Sequence, residues 1–279
     1  MTTTSDVPRL GLIAGNGRFP FLVAAAARRQ GRAVIALAIR EEASEDLAAE
    51  VDELHWVGLG ELSRAVTLLK RARVTEAVMA GQVKHRQLFS GLVPDLRLLG
   101  ILARLATKNT DSLLGAVADV LAQEGIRLLS SIALLQDQLA SAGAMTGKRP
   151  SREQHRDIAY GRKIALAIAG MDLGQTVVVK SQAAVALEAM EGTDEAIRRA
   201  GRIAGPGVTV IKVAKPRQDP RFDVPVVGPS TLDALEEVRA GALAVDAAKT
   251  LMVDKAAFLE RARSLGIVVW GMEGGSDEP

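Results

Sequence analysis

Cysteine is absent from this chain, which removes disulfides, thiolate zinc centres, iron–sulfur clusters and cysteine nucleophiles together. Histidine is nearly as scarce: His55, His85 and His155 are the whole complement, too scattered to assemble an imidazole-rich dinuclear centre. Aromatic residues make up only 3%, too few for the stacking platforms that hold single-stranded nucleic acid. A net charge of +2 creates no electrostatic demand for nucleic acid either. No uninterrupted apolar run reaches transmembrane length, and Met1-Thr-Thr-Thr-Ser-Asp6 lacks the ordered basic, apolar and cleavable regions of a leader. A cytoplasmic protein is the expectation.

What is present is length and apolar content: 279 residues, 48% of them hydrophobic, enough for two domains with their own cores. The pattern from Arg9 to Ala80 alternates. Apolar strands at 9–15, 33–39, 53–57 and 77–80 are separated by helical stretches at 18–30, 42–51 and 61–73. Such alternation predicts an α/β fold, a Rossmann-like parallel sheet covered by helices, with ligands at the carboxyl ends of its strands. A second α/β unit is expected from a helix opening at Pro150-Ser-Arg-Glu-Gln154, where Ser151 and Gln154 stand at capping-box spacing, and from strands and helices thereafter. The predicted division is disordered ends at 1–7 and 274–279, a nucleotide-binding domain at 8–137, a linker at 138–149 rich in small residues, and a catalytic domain at 150–273. The active site is expected in the cleft between the two.

Two polar clusters stand out from this apolar background. Glu188-Ala-Met-Glu-Gly-Thr-Asp194 carries Glu188, Glu191, Thr193 and Asp194; Lys215-Pro-Arg-Gln-Asp-Pro-Arg-Phe-Asp223 carries Lys215, Arg217, Gln218, Asp219, Arg221 and Asp223. The carboxylates are hard oxygen donors suited to Mg²⁺, and Lys212, Lys215, Arg217 and Arg221 suit phosphate, so the pattern points to metal-assisted attack on a phosphate ester or anhydride. Capping alone could explain Thr193, but it does not explain the glutamate before the glycine or the 218–223 loop, for which a solvated surface loop is the lesser alternative. Gly15-Asn-Gly-Arg-Phe-Pro20 resembles a dinucleotide-binding turn but places Pro20 where the third glycine belongs. Gly15, Asn16 and Gly17 there, with Gln82 and Lys84 in the turn after the fourth strand, are candidate nucleotide contacts. Asp111 is either part of a helix cap or a carboxylate facing the cleft. The stretch from Lys84 to Lys108 is basic and apolar together, fitting either an acyl or membrane surface or a packed helix with solvated arginines.

With Gly11-Leu-Ile-Ala-Gly-Asn-Gly-Arg-Phe-Pro20, Ala80-Gly-Gln-Val-Lys84, Asp111-Ser-Leu-Leu114, Asp157-Ile-Ala-Tyr-Gly161, Met171-Asp-Leu-Gly-Gln175 and the two polar clusters extended to Gly228, the chain resembles, over nearly its whole length, the two-domain, non-calcineurin class of UDP-2,3-diacylglucosamine pyrophosphatases of lipid A biosynthesis. The calcineurin-like class is excluded by the missing histidine signatures. The resemblance implies Mg²⁺-dependent hydrolysis to UMP and 2,3-diacylglucosamine 1-phosphate by water attack on the β-phosphorus, at the inner-membrane face of the cytoplasm, by a homodimer. It places the main catalytic carboxylate on Asp223, with Asp219, Asp194 and Glu191 as further metal ligands. Lys215 and Arg221 would then neutralise the pyrophosphate, and an apolar groove would take the acyl chains. One departure is local: Ser181-Gln-Ala-Ala184 lacks the glycine or acid expected in that hairpin. The competing readings are a nicotinamide-dependent oxidoreductase using Glu41 or Glu42 at the ribose, and a nucleotide- or lipid-binding module without catalysis.

Overall fold

The computed structural model describes residues 7–40, 42–83, 93–104, 110–216 and 218–273. They form two compact units: residues up to Leu135 together with Asp219–Asp223, and Gln136–Gln218 together with the residues from Val224 onward.

The first unit is Rossmann-like. Strands β1 (Arg9–Ala14), β2 (Ala33–Ile39), β3 (Glu53–Val57), β4 (Glu76–Ala80) and β5 (Arg127–Leu128) lie in the order β3-β2-β1-β4-β5, and every pairing is parallel. β1 and β2 read as near-continuous apolar runs because helices cover both faces of such a sheet, so alternation would bury polar side chains. Helix α1 (Phe19–Arg29) starts with Pro20 in its first turn and ends in Arg28 and Arg29, matching the helix dipole. Helix α2 (Leu62–Arg71) buries Leu62, Val66 and Leu69, one helical face. Helices α3 (Leu96–Arg104) and α4 (Thr110–Gln123) follow β4. The helix expected at 42–51 is instead a 3₁₀ segment, Glu45–Glu50, capped by Ser44 and burying only Leu47; one apolar anchor is too little to stabilise a longer helix.

The second unit is built on a mixed sheet. Its strands are β6 (Gly143–Ala144), β7 (Thr176–Lys180), β8 (Ala183–Leu187), β9 (Thr209–Lys212), β11 (Ala242–Asp246) and β13 (Val268–Met272), in the order β6-β13-β11-β9-β7-β8. β9, β11 and β13 are mutually parallel, while β7 runs against β9 and β8 against β7. The carboxyl ends of β9 and β11 therefore share one edge with the start of β7 and the end of β8. Strands β10 (Val226–Val227) and β12 (Leu251–Met252) pair separately. Helices α5 (Arg152–Gly170), α6 (Thr193–Ala204), α7 (Pro229–Glu237) and α8 (Lys255–Ser264) complete the unit, and α5 carries the capping box of Ser151 and Gln154.

Two sequence expectations change here. The segment 138–149 is part of the second unit and not a free tether: β6 pairs with β13, and Leu139, Ala140 and Thr146 are buried. Its small residues permit close packing as well as flexibility, and packing prevails. The hairpin between β7 and β8 turns without glycine through left-handed Ser181 (φ 50°) and Gln182 (φ 58°). Asp157 on α5 compensates, its carboxylate accepting a 2.7 Å hydrogen bond from the Gln182 amide.

Candidate active site

In the second unit, the shared edge gathers charge. Glu188, just past β8, is 9% exposed, and Lys212, at the end of β9, is 4% exposed. Between them stands Thr193, the first residue of α6. Its hydroxyl donates to Glu188 Oε1 at 2.8 Å and accepts from Lys212 Nζ at 2.6 Å. Gly174 lets the preceding turn close on Glu188, since a Cβ there would lie 2.2 Å from the Glu188 carbonyl oxygen. The Gln175 amide consequently reaches Glu188 Oε2 at 3.2 Å. Burial by itself would raise the Glu188 pKa, but the Lys212 charge, the Thr176 and Thr193 hydroxyls and the Gln175 amide together hold it below the ordinary glutamate range.

The loop after β9 is anchored from the next strand. Asp246, at the end of β11, accepts from the Ala214 amide at 2.8 Å and meets Arg162 of α5 at 3.4 Å. Lys215 Nζ pairs with Asp172 at 2.7 Å, and the Lys215 amide donates to Gln218 Oε1 at 3.1 Å. The Lys215–Asp172 pair is partly exposed, of the kind worth at most about 1 kcal/mol, so an incoming phosphate could take Lys215 from its partner at little cost. Gln175 Oε1 and Gln218 Nε2 are buried and have no hydrogen-bond partner among the described residues. Buried polar atoms of this kind are completed by ordered water, an ion or a ligand.

The segment Asp219–Asp223 belongs to the first unit. Pro220 O accepts from the Ser131 amide at 2.8 Å and from the Ser131 hydroxyl at 3.0 Å, and Phe222 packs against the first unit's core. Asp223 donates its amide to Asp219 O at 2.9 Å, closing one turn. Arg221 grips Asp219 through Nε at 3.0 Å and Nη2 at 2.6 Å, which lowers the Asp219 pKa.

These placements bear directly on the four expected metal ligands. Glu191 and Asp194 lie in the second unit, Asp219 and Asp223 in the first. Glu191 is held by Arg199 at 2.5 Å and by the Ala189 amide at 3.1 Å, as Asp219 is by Arg221. Each of these carboxylates is engaged by a guanidinium, with which a cation would compete for the remaining lone pairs. Among the described residues no group of three or more His, Asp or Glu is arranged to hold one. Asp194 occupies the first turn of α6, where a carboxylate also favours the helix dipole.

The first glycine turn is closed on itself. Asn16 and Gln82 bridge, with amide-to-carbonyl distances of 2.8 and 3.0 Å, and Gly15 donates to Ala80 O at 2.8 Å. Gly15 is required because a Cβ would meet Gln82 O at 2.7 Å. The expected phosphate cradle therefore has the amides of Gly15, Asn16 and Gln82 already spent; Gly17, at φ 94°, faces open space. Lys84, Glu41 and Arg217 lie outside the described residues, as does the side chain of Asp111; Glu42 is buried.

The structure thus brings Thr193, Lys215 and Gln218 to the second unit's edge alongside Glu188 and Lys212, and carries Asp219, Arg221 and Asp223 to the first unit. Asp246 and Arg162 escaped the sequence reading. The one signal was an acid ending the apolar run Ala242–Val245. Two comparisons with known proteins cover both units. Residues 9–138 match the LpxI N-terminal domain and residues 141–270 the LpxI C-terminal domain. The Caulobacter vibrioides protein named UDP-2,3-diacylglucosamine pyrophosphatase LpxI is 31% identical over 278 residues, spanning 95% of this chain and 98% of that protein. Both halves being matched in order, the chain belongs to the LpxI family.

Proposed function

We propose that the chain hydrolyses UDP-2,3-diacylglucosamine to UMP and 2,3-diacylglucosamine 1-phosphate in lipid A synthesis. The observation that carries this reading is the end-to-end match to a relative named for that substrate, with the C-terminal family domain falling on the second unit except at Asp219–Asp223. The charged edge of the second unit supports it. Lys212 and Lys215 supply positive charge for a pyrophosphate, and the orphaned Gln175 Oε1 and Gln218 Nε2 supply an acceptor and a donor. Glu188 and Thr193 fix the Lys212 ammonium in place, so that the charge is set before substrate arrives.

Asp223 is assigned the central role, positioning or deprotonating water for attack on the β-phosphorus, with UMP as leaving group. Mg²⁺ belongs to the same proposal, with Asp223 as a carboxylate to hold it. When bound it would neutralise charge on the pyrophosphate. Glu191 and Asp219 contribute through their arginines, by shaping the loops. A cytoplasmic homodimer that visits the inner-membrane surface completes the reading. Among the described residues no helix is long and apolar enough to cross a membrane, and Val93, Leu96 and Leu99 form exposed apolar surface in the first unit.

The test is phosphorus NMR of the purified protein with this substrate and Mg²⁺ in ¹⁸O-labelled water. UMP and lipid 1-phosphate, with the label in the lipid phosphate, are expected. Label in UMP would overturn the site of attack, and tight binding without products would leave a binding module.

A further inference from the structure

The second unit carries an open concavity of 400 Å³ away from the edge that holds Lys212 and Thr193. Helix α6 runs from one to the other. Thr193 begins it, and Arg202, which lines the concavity, stands roughly 14 Å further along the axis at about 1.5 Å per residue. Gly205 and Pro206, also in the lining, precede β9, whose far end carries Lys212. The concavity therefore lies at the amino end of β9, opposite the candidate active site.

A close helix crossing gives it its shape. A Cβ on Gly201 would lie 2.3 Å from Val238 Cγ1, so α6 meets the end of α7 with no side chain between them. Longer side chains wall the contact: Arg198 and Arg202 from α6, Glu237 and Arg239 from the end of α7.

Charge in this lining is unequally paired. Arg198 takes Glu237 through Nε at 2.7 Å and Nη2 at 3.3 Å. Among the described residues nothing pairs with Arg202 or Arg239. The negative pole of α6 would by itself repel an anion here. Lys180 offsets it, its Nζ donating to Ala204 O at 2.6 Å and to Pro206 O at 2.9 Å.

Arg239 also occupies a left-handed position, with φ 49°, directly after the cap of α7. Its amide donates to Glu236 O and the Ala240 amide to Leu235 O, both at 2.9 Å, a helix ending in which glycine ordinarily takes this place. A basic residue in the last turn would serve the helix dipole without the left-handed cost, so the dipole alone does not account for arginine here.

We propose that this concavity is an anion site separate from the candidate active site, and that Arg202 and Arg239 take a phosphate group there, from a soluble phosphate ester or from the head group of an anionic phospholipid. Guanidinium groups suit a tetrahedral oxyanion because their planar forks engage two oxygens at once. No aromatic ring stands among the described lining residues to stack a base, and Val238 is their one large apolar side chain. The phosphate is therefore the group recognised. None of these residues belongs to the proposed reaction, so the site stands or falls independently of it.

The experiment uses the full chain with ¹⁵N-labelled arginine and titrates inorganic phosphate against sodium chloride at equal ionic strength. The Nε–H signals of Arg202 and Arg239, assigned through Arg202→Gln and Arg239→Gly, should shift together and saturate with phosphate while chloride leaves them in place. Each substitution should weaken the response of the remaining arginine about tenfold, the worth of one charge-assisted hydrogen bond. Arg239→Gly relieves the left-handed position as it removes the guanidinium, so its Tm should not fall and its weaker binding is not a failure to fold. A second arm follows cosedimentation with phosphatidylcholine vesicles with and without phosphatidylglycerol, in the wild type and the double variant. Shifts with inorganic phosphate support the site and a soluble ester as its ligand. Binding to the phosphatidylglycerol vesicles that the double variant loses supports the site and a head group. Signals that phosphate moves no further than chloride, together with vesicle binding indifferent to both substitutions, overturn it.

Discussion

The carboxyl edges of the two sheets differ in kind although both are expected ligand positions by the same topological rule. In the first unit the edge opens into hydrocarbon, with Glu61 as the one charged side chain among its described lining residues. In the second it holds two bonded groups, Glu188–Thr193–Lys212 and Asp246–Arg162. Architecture determines where a site can form, and side-chain chemistry at the strand ends determines what it can accept. Asp219–Asp223 leaves the second unit's sequence and clusters with the first.

That crossing segment offers the strongest way to break the contrast. Asp223→Ala should lower kcat by about 10²- to 10⁴-fold, the usual worth of a positioned acid–base group, while substrate is still retained. Turnover at the wild-type rate would move the chemistry away from the first unit's surface altogether.

The second unit's network can be opened at Lys212. Lys212→Met would leave Glu188 buried without its counter-charge, a change expected to cost about 3–5 kcal/mol in urea unfolding. The double variant with Glu188→Gln should recover much of that loss. If Lys212→Met alone proves neutral, the edge is wetter and less coupled than its burial indicates.

A smaller effect probes the sheet beneath that edge. Asp157→Ala removes the carboxylate that holds the left-handed Gln182, at a cost of about 1.5–3 kcal/mol. Adding Gln182→Gly should return about 1 kcal/mol, because glycine carries no Cβ penalty at positive φ. Equal stability of the single and double variants in thermal unfolding would show that the turn is not strained.

The mildest test is pH. Because the folded-state pKa of Glu188 is depressed, its stabilisation is fully present above the ordinary value of 4.5 and is lost as pH falls through the lower folded value. The stability difference between wild type and Glu188→Gln, followed by urea unfolding, should therefore be constant above 4.5 and shrink below it. A difference that grows on acidification would contradict the ionised, lysine-facing assignment.

The amino-acid sequence by itself determined the long strands and most helices of both units, but not the 3₁₀ segment Glu45–Glu50 or the two-residue strands β5, β6, β10 and β12. Runs such as Leu10–Ala14 and Val34–Ile39, covered on both faces, have no other stable use than as central strands. It also singled out Thr193, Lys215, Gln218 and Asp223 as chemistry-bearing, because polar clusters interrupting apolar sequence must be satisfied by something. Only the tertiary structure decided how they are satisfied. Arg199 and Arg221 claim Glu191 and Asp219, the Asn16–Gln82 bridge consumes the amides of the first glycine turn, and Asp157 stands in for the glycine missing from the hairpin. Each of these depends on which groups meet through space, either from distant sequence positions or through side-chain orientation. A one-dimensional pattern records residue type and spacing, whereas hydrogen-bond satisfaction is settled only when the chain closes on itself.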